Sequence, residues 1–109
     1  MDPETVVIVL TTMPADADTG DLAALLVGER LAACVNVMGP MQSVYRWRGE
    51  VEHADERQLL IKTTAARVPA LEARLKELHR YEVPEFLVVP AVRGSAPYLA
   101  WLRESLVEP

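Results

Sequence analysis

Few residues in this chain have side chains suited to chemistry, and each stands apart from the others in sequence. Cys34 lies within Ala32-Ala33-Cys34-Val35-Asn36-Val37-Met38. As a thiolate it would be a soft ligand for copper or another thiophilic metal. Flanked by Ala33 and Val35, it reads equally well as an inert buried thiol. Strand alternation sets Cys34, Asn36 and Met38 on one face, the more polar one, and Ala33, Val35 and Val37 on the other. His79 follows a helical stretch, where a cationic ring would be stabilised by the helix dipole; as a neutral imidazole it could ligate metal, with Glu82 or Tyr81 nearby. Lys62 interrupts the apolar run Leu59-Leu60-Ile61, so its ammonium must reach solvent, find an anion or lose its charge. Tyr45 and Trp47 carry rings that suit places apolar at one end and wet at the other. His53, beside Glu52, Asp55 and Glu56, reads as an exposed hairpin residue.

Spacing limits what these groups can build within one chain. One cysteine and two histidines, with no C-x-x-C or H-x-x-x-H pattern, cannot close a structural zinc site. A single subunit offers at most an incomplete coordination sphere, which a site at a subunit boundary could complete.

The elements that must position these residues follow from periodicity. Val6-Val7-Ile8-Val9-Leu10 is β-branched and too short for a helix, which predicts a strand buried on both faces, ending at Met13-Pro14. Asp18-Thr19-Gly20-Asp21 supplies an N-cap for a helix with Leu22, Leu25 and Leu26 inward. Gly28 falls inside that pattern, where glycine costs ~1 kcal/mol relative to alanine. A second strand from Ala32 to Met38 is interrupted at Gly39-Pro40 by a bulge or bend and resumes from Gln42 to Trp47. Arg48-Gly49 predicts a tight reversal into a return strand from Glu50 to Thr64. Val68, Leu71, Leu75 and Leu78 share one face of a second helix starting near Ala66, with Glu72 and Lys76 as an exposed pair. Glu85 to Val89 predicts a fourth strand closing at Pro90. Ser95-Ala96-Pro97 opens a last helix with Leu99, Leu102 and Leu106 inward and Tyr98 and Trp101 on a flank. The order β-α-β-β-α-β-α predicts an α+β chain: a ferredoxin-like, split β-α-β sandwich with a long central β-hairpin and an extra C-terminal helix.

Length and composition bound the rest. The chain of 109 residues reads as a single domain over residues 1–109. Eleven basic against 16 acidic residues give a net charge of −5, which argues against a nucleic-acid partner. No stretch approaches the ~20 apolar residues of a membrane span. Met1-Asp2-Pro3-Glu4 is acidic where a signal peptide would be basic, and one cysteine needs no oxidising compartment, so a cytoplasmic location is expected. The surplus of nearly unbroken apolar strand is more than two or three helices could cover.

Several segments are recognisable in order along the chain. Glu29-Arg30-Leu31-Ala32-Ala33-Cys34-Val35-Asn36, Ser43-Val44-Tyr45-Arg46-Trp47, Leu60-Ile61-Lys62-Thr63-Thr64 and Glu77-Leu78-His79-Arg80-Tyr81-Glu82-Val83-Pro84-Glu85 resemble the signature segments of the CutA1 divalent-cation tolerance family. Two positions depart from its pattern: Gly28, where a helix former is usual, and Arg80, where proline usually separates His from Tyr. The resemblance implies a ferredoxin-like subunit in a homotrimer, a link to tolerance of copper and other divalent cations, no enzymatic activity, and an architecture similar to the PII signalling proteins. It implies no required cofactor, with copper or another divalent cation as the bound species. On that basis Cys34, His79 and Glu82 are the candidate metal ligands. Tyr45, Lys62 and Tyr81 are the candidates for an inter-subunit pocket that could take a small anionic ligand, and Trp47 for the interface. Catalysis by Cys34 and His79 as nucleophile and base is not expected. The acylphosphatases share this fold class, but Thr11-Thr12-Met13-Pro14 has no glycine-rich nest for a phosphate.

Overall fold

The structure, a computed structural model, describes residues 1–107. The chain runs β1 (Val6–Pro14), α1 (Thr19–Gly28), β2 (Cys34–Trp47), β3 (Glu50–Thr64), α2 (Val68–Leu78, entered through one 3-10 turn at Ala65–Arg67), β4 (Leu87–Pro90) and α3 (Ala96–Ser105). The sheet order is β2-β3-β1-β4, with every pairing antiparallel. This is the ferredoxin-like arrangement: α1 and α2 each cross over one intervening strand. None of the described helices is long and apolar enough to cross a membrane.

One face of the sheet is covered by helices as far as the outer half of the hairpin. Val7, Val9 and Met13 of β1 and Leu59 and Ile61 of β3 pack against Leu22 and Leu26 of α1 and Leu71 and Leu75 of α2. Leu25, expected inward, is 37% exposed, because the i, i+4 line through Leu22 and Leu26 takes the buried position and leaves Leu25 on its flank. Gly28 is the last residue of α1, so it carries no helix-interior penalty. Asp18 caps α1 by accepting from the Asp21 amide, and the Glu72 and Lys76 pair forms at 3.8 Å.

The opposite face is covered only at one end. There Leu102 and Leu106 of α3 pack on Val6 and Ala33. Ala33 was expected on the same face as Val35 and Val37; it precedes the strand and turns toward α3, while those two valines pack with the α1 and α2 core. Two arginines hold the end of α3: Arg30 donates to the Ser105 carbonyl at 2.9 Å and Arg67 to the Leu106 carbonyl at 2.6 Å. They satisfy carbonyls that the helix end leaves without partners. Beyond α3 the face is bare. Ile8, Leu10 and Leu60 are half-buried there, and Leu87, Val89 and Met38 are exposed, so β1 is not buried on both faces within one subunit.

The β2–β3 hairpin outruns the sheet, since β1 pairs β3 only as far as Glu56. Its register shifts between Met38 and Met41. Gly39, at a φ of 118°, sits at this bulge, where a Cβ would lie 3.1 Å from the Glu56 carbonyl oxygen. Arg48 and Gly49 both have positive φ and make the predicted tight turn.

Because the Leu102 side chain of α3 is wholly buried against Val6 and Ala33, Leu102→Ala should lose about 3 kcal/mol of stability in a denaturant titration. Leu25→Ala, on a half-open flank, should lose about 1 kcal/mol or less. Equal losses would mean that α3 is not docked as described.

Candidate functional site

A concavity lies at the end of the bare sheet face away from α3. The α2–β4 segment, residues 79–86, folds over the outer half of the hairpin and leaves a cleft of about 530 Å³. Its aromatic wall is Tyr45, Trp47 and Tyr81, and its floor is Thr12, Glu56 and Gln58. The floor residues share one face because they occupy alternate positions on β1 and β3. At the rim Arg48 pairs with Glu82 at 3.0 Å, joining the hairpin tip to the segment, with its guanidinium 5.4 Å from the Trp47 ring centre.

His79 anchors that segment. Its Nδ1 accepts from the Tyr81 amide at 3.1 Å, so Nε2 carries the proton and donates to the Thr12 carbonyl at 2.6 Å. Tyr81 then reaches β3, its hydroxyl donating to Glu56 at 2.6 Å. Burial, and then that carboxylate, hold the Tyr81 phenol well above its ordinary range, so it remains a neutral donor. Arg80 donates to Asp16 at 2.7 Å and holds the Asp16 carboxyl below its usual range. An ion pair thus ties the segment to the loop between β1 and α1.

The expected site residues divide into two groups. Tyr45, Trp47, Tyr81 and Glu82 meet at the cleft, with the His79 ring tilted against Tyr81 at a centroid distance of 4.8 Å. Cys34 and Lys62 do not reach it. They face each other across β2 and β3 in the row of Ile8, four residues along β1 from Thr12 and so roughly 13 Å from the His79 row. Lys62 places its ammonium 5.9 Å from the Tyr98 ring centre, at the edge of α3. Within one subunit Lys62 therefore shares no pocket with Tyr45 and Tyr81, because the length of β3 separates them; the expected pocket joins residues of different subunits. Cys34 has only a long contact of 3.9 Å to Asn36 Oδ1, and no thiol–imidazole pair forms. Among the described residues no group of three or more His, Cys, Asp or Glu side chains is placed to hold a metal ion.

Among the cleft residues not expected from the sequence as site residues are Glu56, Gln58 and Glu85. Glu56 is only 6% exposed. Gln58 donates to the Thr11 carbonyl at 2.9 Å and to Glu85 at 3.0 Å. Glu85 lies before β4, which begins at Leu87 instead of Glu85, because its carboxylate turns back to Gln58. The signal available was the run of polar residues at alternate positions 56 and 58 ahead of Leu60; its meaning depends on the hairpin register.

Comparison with known proteins bears on the whole chain. The sequence profile of the CutA1 divalent ion tolerance protein family matches residues 7–105. The divalent-cation tolerance protein CutA of Thermus thermophilus is 47% identical over 98 residues, 90% of this chain and 95% of that one. The solved structure of the Cut A1 protein from that organism superposes with a TM-score of 0.88, covering 92% and 97% of the two chains at 46% identity. A PII-like protein CutA from Nostoc superposes at 0.85 with 34% identity, covering 93% and 97%. A CutA from Archaeoglobus fulgidus, described as periplasmic, superposes at 0.88 with 28% identity, covering 94% and 99%. With the profile spanning nearly every described element and the same fold throughout, this chain belongs to the CutA1 divalent ion tolerance family.

Proposed function

We propose that this protein binds divalent metal, copper foremost, and serves cation tolerance or its sensing as a homotrimer. The bare apolar sheet face carries this reading: Leu87 is 54% and Val89 44% exposed beside half-buried Ile8, Leu10 and Leu60. Fully covering a side chain of this kind gains about 1.5–3 kcal/mol. A contiguous apolar face is the mark of a protein–protein contact, and other copies of the chain are its proposed cover. The same assembly would join ligands that one chain keeps apart. Cys34 is the proposed soft ligand, with His79 and Glu82 contributed from another copy. His79 would have to release the Thr12 carbonyl or the Tyr81 amide to bind metal, so Cys34 is the leading candidate.

A cytoplasmic location belongs to the proposal, since a lone cysteine leaves the fold independent of an oxidising compartment. Nucleic acid is not a proposed partner, given the charge of −5. Catalysis is not proposed either, because Cys34 and His79 are not neighbours in one subunit. A second reading, a PII-like trimer whose cleft binds a small molecule, is favoured by the aromatic cleft beside Tyr81. The lining charges oppose an anion there: Glu56, Glu82 and Glu85 outnumber Arg80.

Two measurements test the proposal. Calorimetric titration of zinc, and of copper(II) without reductant under anaerobic conditions, should give at least tenfold weaker binding in Cys34→Ala and a smaller loss in His79→Ala. Unchanged affinity in both variants contradicts the ligand assignment. Leu87→Lys should shift the protein toward monomer on a sizing column, whereas Val92→Lys, at a position 96% exposed, should leave assembly intact. Identical elution of both variants at the wild-type position would exclude the sheet face as the contact.

A further inference from the structure

A second, smaller pocket opens on the helix side of the sheet, away from the face that other copies of the chain are proposed to cover. It holds about 260 Å³ between the last turns of α2 and the later part of the segment that follows. Leu75 lines it from the helix, Val83, Pro84 and Phe86 from the segment, and Thr11 from β1. Alternation along β1 puts Thr11 on this side with Val9 and Met13, while Thr12 turns to the cleft on the other. Thr11 is wholly buried, and its Oγ1 is the one fully enclosed side-chain oxygen without a hydrogen-bond partner among the described residues. A buried hydroxyl left without a partner costs free energy, so its place in the wall of an open pocket calls for a ligand.

The other lining groups define the chemistry of that ligand. His79 borders the pocket with both ring nitrogens engaged, by the Thr12 carbonyl and the Tyr81 amide, so it has no nitrogen to offer. At the mouth Lys76, 71% exposed, pairs with Glu72 at 3.8 Å. Glu82 pairs with Arg48, and Glu85 accepts from Gln58. An anion thus finds no free cation in the lining, and a metal ion no group of three ligands among the described residues. A water molecule needs two or more polar partners, and the walls beside Thr11 are apolar. Apolar cavities of roughly 150 Å³ accept a benzene ring, so one substituted ring has room here. From this geometry we infer that the pocket binds a small neutral phenol. Its ring lies among Leu75, Val83, Pro84 and Phe86, and its hydroxyl exchanges a hydrogen bond with Thr11 Oγ1. A phenol titrates only near pH ~10, so it enters uncharged. The inference goes beyond metal tolerance and is independent of metal binding at Cys34.

Fluorine NMR tests it on the native assembly. 4-Fluorophenol should bind saturably at millimolar concentration, fluorobenzene at least fivefold more weakly, and 4-fluorobenzoate not at all. Thr11→Val keeps the outline of the side chain and removes the hydroxyl. It should weaken 4-fluorophenol at least fivefold, leave fluorobenzene unchanged, and melt no lower than wild type, because the lost oxygen has no partner. Thr11→Ser, which keeps the hydroxyl, should retain the preference for the phenol. Phe86→Leu, at a half-buried wall position outside the cleft, should weaken both neutral ligands and locates the site should Thr11→Val fail to fold. No saturable binding of 4-fluorophenol, or equal wild-type affinity for it and fluorobenzene, overturns the inference. Unchanged 4-fluorophenol affinity in Thr11→Val, or in Phe86→Leu, also overturns it, by placing the phenol elsewhere. Tighter binding of 4-fluorobenzoate than of 4-fluorophenol would overturn the neutral ligand in favour of an anion.

Discussion

A four-stranded sheet has two faces, and this chain has helices enough for one and a fraction of the other. α1 and α2 cover the first face with Leu22, Leu26, Leu71 and Leu75, and β1 and β3 answer with valine, leucine and isoleucine at alternate positions. On the second face α3 covers Val6, Ala33 and Ala91. The alternation that buries Val7 and Val9 presents Ile8 and Leu10 to the other side, so the core and the bare face arise from the same strand. What serves the proposed function lies on this second face: the Cys34–Lys62 row near α3, the bare middle, and the cleft at the far end.

The cleft exists because the long hairpin is tied to the α2–β4 segment at several points. Tyr81 reaches Glu56, Glu85 reaches Gln58, and Glu82 reaches Arg48. The first is the most consequential. It combines a buried acceptor with a neutral donor and is shielded from solvent, whereas the Glu82–Arg48 pair is 70% exposed on both sides and contributes little to stability. His79 stands behind this contact as a positioning group, fixing the Tyr81 amide and the Thr12 carbonyl with opposite edges of its ring. A metal-binding role for His79 therefore competes with its structural one, and Cys34 faces no such competition.

Much of the fold is legible in the residues. The Arg48-Gly49 turn, the Gly39 bulge and the stripe of α2 all follow from local chemistry that tertiary packing does not override. The errors are instructive in the same terms. Leu25 and Ala33 satisfy simple periodicity, but their burial depends on where neighbouring elements end. Glu85 and Phe86 look like strand, yet Glu85 is taken by a side-chain partner 27 residues away in sequence. The aromatic members of the cleft are visible through the family's signature segments. Glu56 and Gln58 are not, because only the fold of the α2–β4 segment over the hairpin turns two alternate residues of β3 into the floor of a pocket.

The central claim is that the sheet face left bare by one chain is covered by other copies of it, so that the chain is a part and the assembly the protein. Sedimentation equilibrium of the unmodified chain at micromolar concentration tests this most directly. A single species of three times the 12.1 kDa chain mass is the expected result. A single species at 12.1 kDa would contradict the account.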